Sequence, residues 1–460
     1  MKKHYKNCFS IMSEVIKIKR GLDIPLLGSV DSQYGKADLP ELFAIKPIDF
    51  HGLIPKMERK VGEKVKAGTI LFHDKNRPEV KFVSPVSGEL VAVNRGERRK
   101  ILEIVVKSDG ANEKKNLGKA DLSKTSKEEI VEKMLNSGVW PSVRQRPYDI
   151  IANPADTPKA FFISGFDSAP LAPDYDFILT GQEKEFQTGI DVLRKLSDDN
   201  VHIGISAESA SKVYKETNGV TLHSFAGKHP AGNVGIQIHH VQPICKGDVV
   251  WVTQPQDVVT IGKLFADGVY DASRVVALSG SMVEKSAYFK TKLGASIAPL
   301  VKNNLKQDNV RYISGNVLTG TRIESDGYLG YYHSQVTVIP EGNYHEFMGW
   351  ALPGFGKYSV SRTFFSWFCK KKKYDLDSNM HGGKRAFVVS GQYEKVLPMD
   401  ILPEFLFKAI ITEDIDKMEQ LGIYEIAEED VALCEFVCTS KINLQNIVRE
   451  GLDLMIKEVG

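Results

Sequence analysis

Between residues 159 and 205 the chain writes strand, helix and strand in turn. Residues 159–164 form a short apolar run of buried-strand type, 185–196 space Phe186, Ile190 and Leu193 on one helical face, and 201–205 are a second apolar run. Parallel neighbours cannot be joined by a tight hairpin, so a helix between two buried strands predicts a mostly parallel sheet clothed in helices. The rest of the 460 residues must be arranged around that layer. At roughly 150 residues per domain the length accommodates about three domains.

Residues 42–108 alternate apolar and polar positions between glycine turns, and the stretches 60–72 and 82–93 repeat a strand-turn-strand rhythm. Together they resemble the pseudo-symmetric biotinyl/lipoyl barrel. Such barrels carry a cofactor on a hairpin lysine; Lys75 is the residue placed nearest to that role, against the alternative of a solvated hairpin lysine. Residues 258–345 are expected to return to strands, at 274–280, 310–317 and 335–339, with a helix near 296–305, an order that fits a β-grasp module. Beyond Pro398 helices are expected. Thr412 caps one that Gly422 ends, a second carries Val431, Cys434, Val437 and Cys438 on one face, and Asn443 caps the last.

Lys and Arg number 60 against 58 Asp and Glu, a net charge of +2, which is too small a basic excess for a nucleic-acid binder. No stretch reaches the roughly 18 uninterrupted apolar residues of a membrane span, so any membrane connection is expected to be peripheral. The five cysteines, Cys8, Cys245, Cys369, Cys434 and Cys438, are too scattered for a disulfide framework and point to a reducing compartment, the cytoplasm. Cys434 and Cys438 read as half of a metal site or as buried core thiols. Nucleotide-binding loops place glycines where backbone meets phosphate. The segment after the first strand, Gly165-Phe166-Asp167-Ser168-Ala169-Pro170, does not, and neither Gly227-Lys228-His229 nor Gly354-Phe355-Gly356-Lys357 has the required spacing.

Two further clusters stand out. His229, His239 and His240 share one phrase, and imidazoles so grouped bind a metal, hydrogen-bond a quinone carbonyl, or serve the structure alone. At 364–374, aromatic residues including Trp367 and Phe368 run into Lys370, Lys371, Lys372 and Lys373. That composition suits a membrane interface or a partner's groove, or else a core segment followed by a solvated linker.

The phrases at 16–26 (IKIKRGLDIPL), 229–232 (HPAG), 312–320 (YISGNVLTG), 328–333 (YLGYYH), 391–403 (GQYEKVLPMDILP) and 428–438 (EEDVALCEFVC) resemble the A subunit of the sodium-translocating NADH:quinone reductase, nearly from end to end after Met12. The resemblance implies an α/β multidomain chain: a barrel-sandwich, a Rossmann-like domain, a β-grasp domain of SLBB type and a C-terminal helical domain. The corresponding boundaries are an extension over 1–11, then 12–115 for N-terminal strands and the barrel-sandwich, 116–257, 258–345, a connecting segment over 346–397, and 398–460. It also implies a peripheral subunit on the cytoplasmic face of the bacterial inner membrane, one of six in a complex whose chemistry uses NADH, flavins, Fe-S centres, quinone and Na⁺. The five other subunits, a membrane-embedded one above all, would be its partners. Relatives of that fold hold flavin and cysteine-ligated clusters, and this chain shows neither a glycine-rich flavin loop nor a set of thiolates. It is therefore expected to hold no redox centre tightly and to have no catalytic residue. Its expected contributions are docking, through Trp367, Phe368 and Lys370 to Lys373, and quinone contact, through Phe225, His229 and His239. A self-sufficient NADH- and flavin-binding dehydrogenase subunit is the alternative.

Overall fold

The computed structural model describes residues 15–209, 211–369 and 371–459. The expected extension, its alternative start at Met12, Cys8 and Lys370 lie outside the described residues. At the centre is a seven-stranded sheet in the order Ile16–Ile18, Thr221–Gly227, Val201–Ser206, Ala160–Ser164, Val250–Thr253, Arg144–Arg146, Ile150–Ile151. The first five strands are parallel and the last two antiparallel. Alternate residues serve opposite faces, as the period of two demands. Phe161 and Ile163 join a core with the helices Glu183–Leu196 and Pro255–Asp267, while Ala160 and Phe162 join one with the C-terminal helices. Burial on both faces is why these strands are continuously apolar in sequence.

The N-terminal module is a sandwich of two antiparallel sheets. One runs Leu42–Ile45, Ile101–Ser108, Gly88–Arg95, Lys64–Val65, the other Pro55–Met57, Ile70–Asp74, Lys81–Val83. Lys75 is exposed on the turn after Ile70–Asp74, where its backbone N–H donates to the Ile54 carbonyl at 2.7 Å. The β-grasp sheet has the order Ala287–Lys292, Ser273–Ser279, Gln335–Pro340, Val310–Ser314, Thr321–Ile323, with only Ser273–Ser279 and Gln335–Pro340 parallel. The helices Pro403–Ile411, Ile415–Gln420, Ala432–Val437 and Leu444–Glu458 close the second face of the central sheet. Cys434 and Cys438 are core thiols, and the Tyr393 hydroxyl donates to the Cys438 sulfur at 3.0 Å.

Three expectations need correction. Residues 255–267 form a helix, not the onset of strands, so the boundary at 257/258 cuts an element of the α/β domain. Its β-branched run Val258-Val259-Thr260-Ile261 has strand propensity, but Pro255 starts a helix, left-handed Gly268 ends it, and Gly262 lets it pack against Glu183–Leu196. The strand Ile16–Ile18, among the N-terminal strands of the 12–115 region, pairs with the central sheet, and the chain after it bridges Leu26 to Tyr374 and Tyr34 to Tyr288. The expected helix at 296–305 is one turn, Ala298–Val301, since Asn303 turns left-handed. Thr412 closes the helix Pro403–Ile411, and the following helix is capped by Asp414, whose carboxylate accepts from the Lys417 N–H at 3.1 Å.

Candidate functional site

Four modules meet around a cleft. Its outer chamber, about 490 Å³, is lined by Asp49 and His51 of the barrel, Arg144, Asp149, Asp167 and Tyr175 of the α/β domain, Tyr331, Tyr332 and His333 of the β-grasp, and Glu428 and Arg449 of the helical domain. An inner chamber of about 110 Å³ shares Arg144, Asp167 and Tyr175 with it and reaches His229. The position follows from topology: loops beyond the carboxyl ends of parallel strands converge on a crevice.

Most charges in the cleft are spent on one another. The Arg144 guanidinium donates to both Asp149 oxygens at 3.0 and 2.9 Å and lies over the Tyr332 ring at 4.8 Å. Burial opposes the charge on Asp149, but Arg144 and then Arg146 overcome it and hold the carboxyl below its ordinary range. Among the described residues no cation pairs with Asp167 in this way. Burial pushes it up to about 6, against a hydrogen bond from the Ala169 N–H at 2.8 Å.

Two histidines, His333 in the outer chamber and His229 in the inner one, are held by the same device. The Ser168 hydroxyl accepts from the Gly232 N–H at 2.8 Å and stands 3.0 Å from His229 Nδ1. The Ser314 hydroxyl accepts from the Gly330 N–H at 2.8 Å and stands 2.8 Å from His333 Nδ1. Burial lowers each imidazole to about 4, so both are neutral at pH 7. A serine proton directed at Nδ1 makes that nitrogen the acceptor and leaves Nε2–H as a donor. Gly315 keeps the second donor open, because a Cβ there would stand 3.1 Å from His333 Nε2.

The structure does not assemble the three residues expected to contact quinone. Phe225 is buried in the core between the sheet and the helical domain. His239 lies in a separate groove beside Lys17, Lys19 and Arg20, with both ring nitrogens engaged, Nδ1 on Glu425 at 2.6 Å and Nε2 accepting from the Asp400 N–H at 3.1 Å. Only His229 faces the cleft. His333, in a phrase that carried no assigned role, is the partner that sequence reasoning missed; an isolated histidine gives no signal of a counterpart 104 positions away.

Two tests bear on cofactors. The helix that follows Ala160–Ser164 is the short Tyr175–Leu179, and its first N–H groups already donate to the Asp174 carboxylate, Asp176 N at 2.9 Å and Phe177 N at 3.3 Å. A Cβ on Gly165 would meet the Gly204 carbonyl and the Tyr214 ring at 3.0 Å, so this glycine serves packing rather than a phosphate. These residues do not fit a dinucleotide pyrophosphate. Among the described residues no group of three or more His, Cys, Asp and Glu is placed to hold a metal ion, and no helix is long and apolar enough to cross a membrane.

The expected docking residues lie in the connecting segment, which has little regular structure. Trp367 and Phe368 are 43% and 68% exposed on a short 3-10 turn, and Lys371 and Lys373 are exposed beyond it.

Family models for the NqrA N-terminal barrel-sandwich hybrid domain, the NqrA second alpha/beta domain and the NQRA C-terminal domain match residues 16–109, 125–270 and 275–325. The second match ends beyond the helix Pro255–Asp267, in accord with its place in the α/β domain. The A subunit of the Na⁺-translocating NADH-quinone reductase of Yersinia pestis bv. Antiqua (strain Angola) is 39% identical over 447 residues, covering 96% of this chain and 100% of its own. The protein of the same name from Photorhabdus laumondii subsp. laumondii is 38% identical and that from Neisseria meningitidis serogroup B 36%, with the same coverage. Among solved structures, an NAD⁺-reducing NiFe hydrogenase in its H2-reduced state aligns with 12% identity and a TM-score of 0.35, over 73% of this chain and 64% of its own, a likeness too distant to argue from. By full-length identity and by matched domains, the chain belongs to the NqrA family, the A subunits of the Na⁺-translocating NADH-quinone reductases, and is a component of an oxidoreductase complex.

Proposed function

We propose that this chain is the peripheral, cytoplasmic-face subunit of such a complex, that it holds no flavin or Fe-S centre of its own, and that its cleft receives a quinone head group while the segment 346–397 docks it to the membrane-embedded part. The observation that carries the quinone reading is the matched pair of neutral imidazoles, His229 and His333, each held by a serine at Nδ1 and each lining one of two chambers that share Arg144, Asp167 and Tyr175. A quinone has an acceptor oxygen at each end, and a site for it needs donors to both beside an apolar wall; Tyr331 and Tyr332 are among the lining residues. Asp174, which caps the helix where a pyrophosphate would rest, supports the absence of a bound dinucleotide. Sodium passage through lipid needs spanning segments, so the sodium path and the electron carriers are assigned to the partner subunits.

Quinone titration of the purified chain, followed by calorimetry, tests the cleft. His229→Ala and His333→Ala should each weaken binding about tenfold, the worth of one hydrogen bond of roughly 1.4 kcal/mol, while His239→Ala should not. Equal affinity in all three variants would remove the quinone from this cleft.

A further inference from the structure

The connecting segment is the least explained surface of the molecule. From residue 347 to 374 it carries six cations, Lys357, Arg362 and Lys370 to Lys373, and no carboxylate before Asp375. Six of its nine aromatic residues, Phe347, Trp350, Phe355, Phe365, Trp367 and Phe368, are exposed. Trp350 is 80% exposed and Phe355 67%, and Phe355, Phe365, Phe368 and Trp367 form a chain of ring contacts at 5.8, 6.2 and 4.4 Å. The lysines flank this patch directly, since the Lys372 ammonium donates to the Phe355 carbonyl. Lys357 pairs with Glu346 at 2.5 Å, whereas among the described residues Arg362, Lys371 and Lys373 have no carboxylate within salt-bridge distance.

Building on the docking reading above, we infer that this patch seats on an anionic lipid surface rather than in a groove of a partner protein. Composition separates the two. Protein interfaces enrich aromatics and Arg but deplete Lys, whereas a bilayer surface places Trp and Phe at the headgroup level and gathers lysines over lipid phosphates. Five of the six cations here are lysine, and four of them are consecutive. The rings supply apolar insertion to a shallow depth, and the unpaired ammonium groups supply charge complementarity to phosphate.

The test is co-sedimentation of the full chain with vesicles of equal parts phosphatidylcholine and phosphatidylglycerol, beside vesicles of phosphatidylcholine alone. The mixed vesicles should bind the chain in a salt-sensitive way and the neutral ones weakly. At about 1 kcal/mol per basic residue near an anionic surface, the triple variant Lys371→Glu, Lys372→Glu, Lys373→Glu should lose affinity on the order of a hundredfold. Lys371 and Lys373 are exposed and Lys372 is tied to the Phe355 carbonyl, so circular dichroism checks that the triple variant keeps its fold. No binding to mixed vesicles, or equal binding by the triple variant, overturns the lipid assignment. If the variant then still fails to be retained on native membranes that hold the other subunits, docking stands and the partner is protein. If it is retained, both readings fall.

Discussion

Arg144 is the side chain on which the cleft's construction rests, and replacing it with Met is the sharpest test of that construction. It belongs to the penultimate strand of the central sheet, donates to both oxygens of Asp149, and lies 4.8 Å from the Tyr332 ring of the β-grasp domain. Both partners are largely buried, with side chains 15% and 12% exposed. Breaking a buried pair by removing one member costs about 3–5 kcal/mol. Arg146 remains 3.4 Å from Asp149 and offsets part of that, while loss of the cation–π contact adds roughly 1 kcal/mol. The net expectation is a loss of about 3 kcal/mol at pH 7. Its pH dependence has a defined sign. Asp149 is held below its ordinary pKa in the folded chain, so its contribution is present above the unfolded value of about 3.9 and fades as pH falls through the folded one. The gap between wild type and Arg144→Met should therefore narrow below pH ~4. Arg144→Lys keeps the charge but not the fork and should fall in between. Because a multidomain chain has no single unfolding free energy, the readout is hydrogen exchange at Arg144–Arg146 and Gln335–Pro340 together with the urea midpoint. A loss under about 1 kcal/mol, or one that persists undiminished in acid, would refute the bridging role.

Two further substitutions probe the frame of the cleft. Asp167 has the opposite sign to Asp149: burial raises it to about 6, so its protonated form favours folding at low pH and that advantage is lost as pH rises from about 4 through 6. Asp167→Asn should therefore gain on wild type by about 1–3 kcal/mol between those limits, measured as a difference in urea midpoints; a constant difference would contradict it. Gly262→Ala raises helix propensity by about 1 kcal/mol, yet the new Cβ would run into the Glu185 carbonyl of the neighbouring helix. Overpacking of about 1–3 kcal/mol should win, lowering the thermal midpoint; a raised midpoint would mean the two helices slide apart freely.

The central layer was readable in the sequence because both faces of its strands are covered, which leaves continuous apolar runs such as 159–164 with a helix between them. The errors came where tertiary packing overrode local preference. Val258-Val259-Thr260-Ile261 looks like strand until Gly262 is seen against Glu183–Leu196. Thr412 and Asp414 are both good caps in sequence, and only the structure shows which one accepts an N–H. The cleft was legible in fragments. His229 stood out within a histidine-rich phrase, but that phrase also promoted His239, which its place on the helix Val234–Val241 and Glu425 commit elsewhere. His333 becomes its counterpart only through folding, and the sequence analysis assigned nothing to Arg144 and Asp149, which folding brings together with Tyr332 in the cleft lining.

The claim on which the rest depends is that this chain serves the complex without an electron carrier of its own. Affinity purification from native membranes, followed by separation of this chain and its absorption spectrum with iron analysis, tests it most directly. The other subunits should accompany the tagged chain, and the separated chain should be colourless and free of iron. A stoichiometric flavin band or bound iron on the isolated chain would contradict the account.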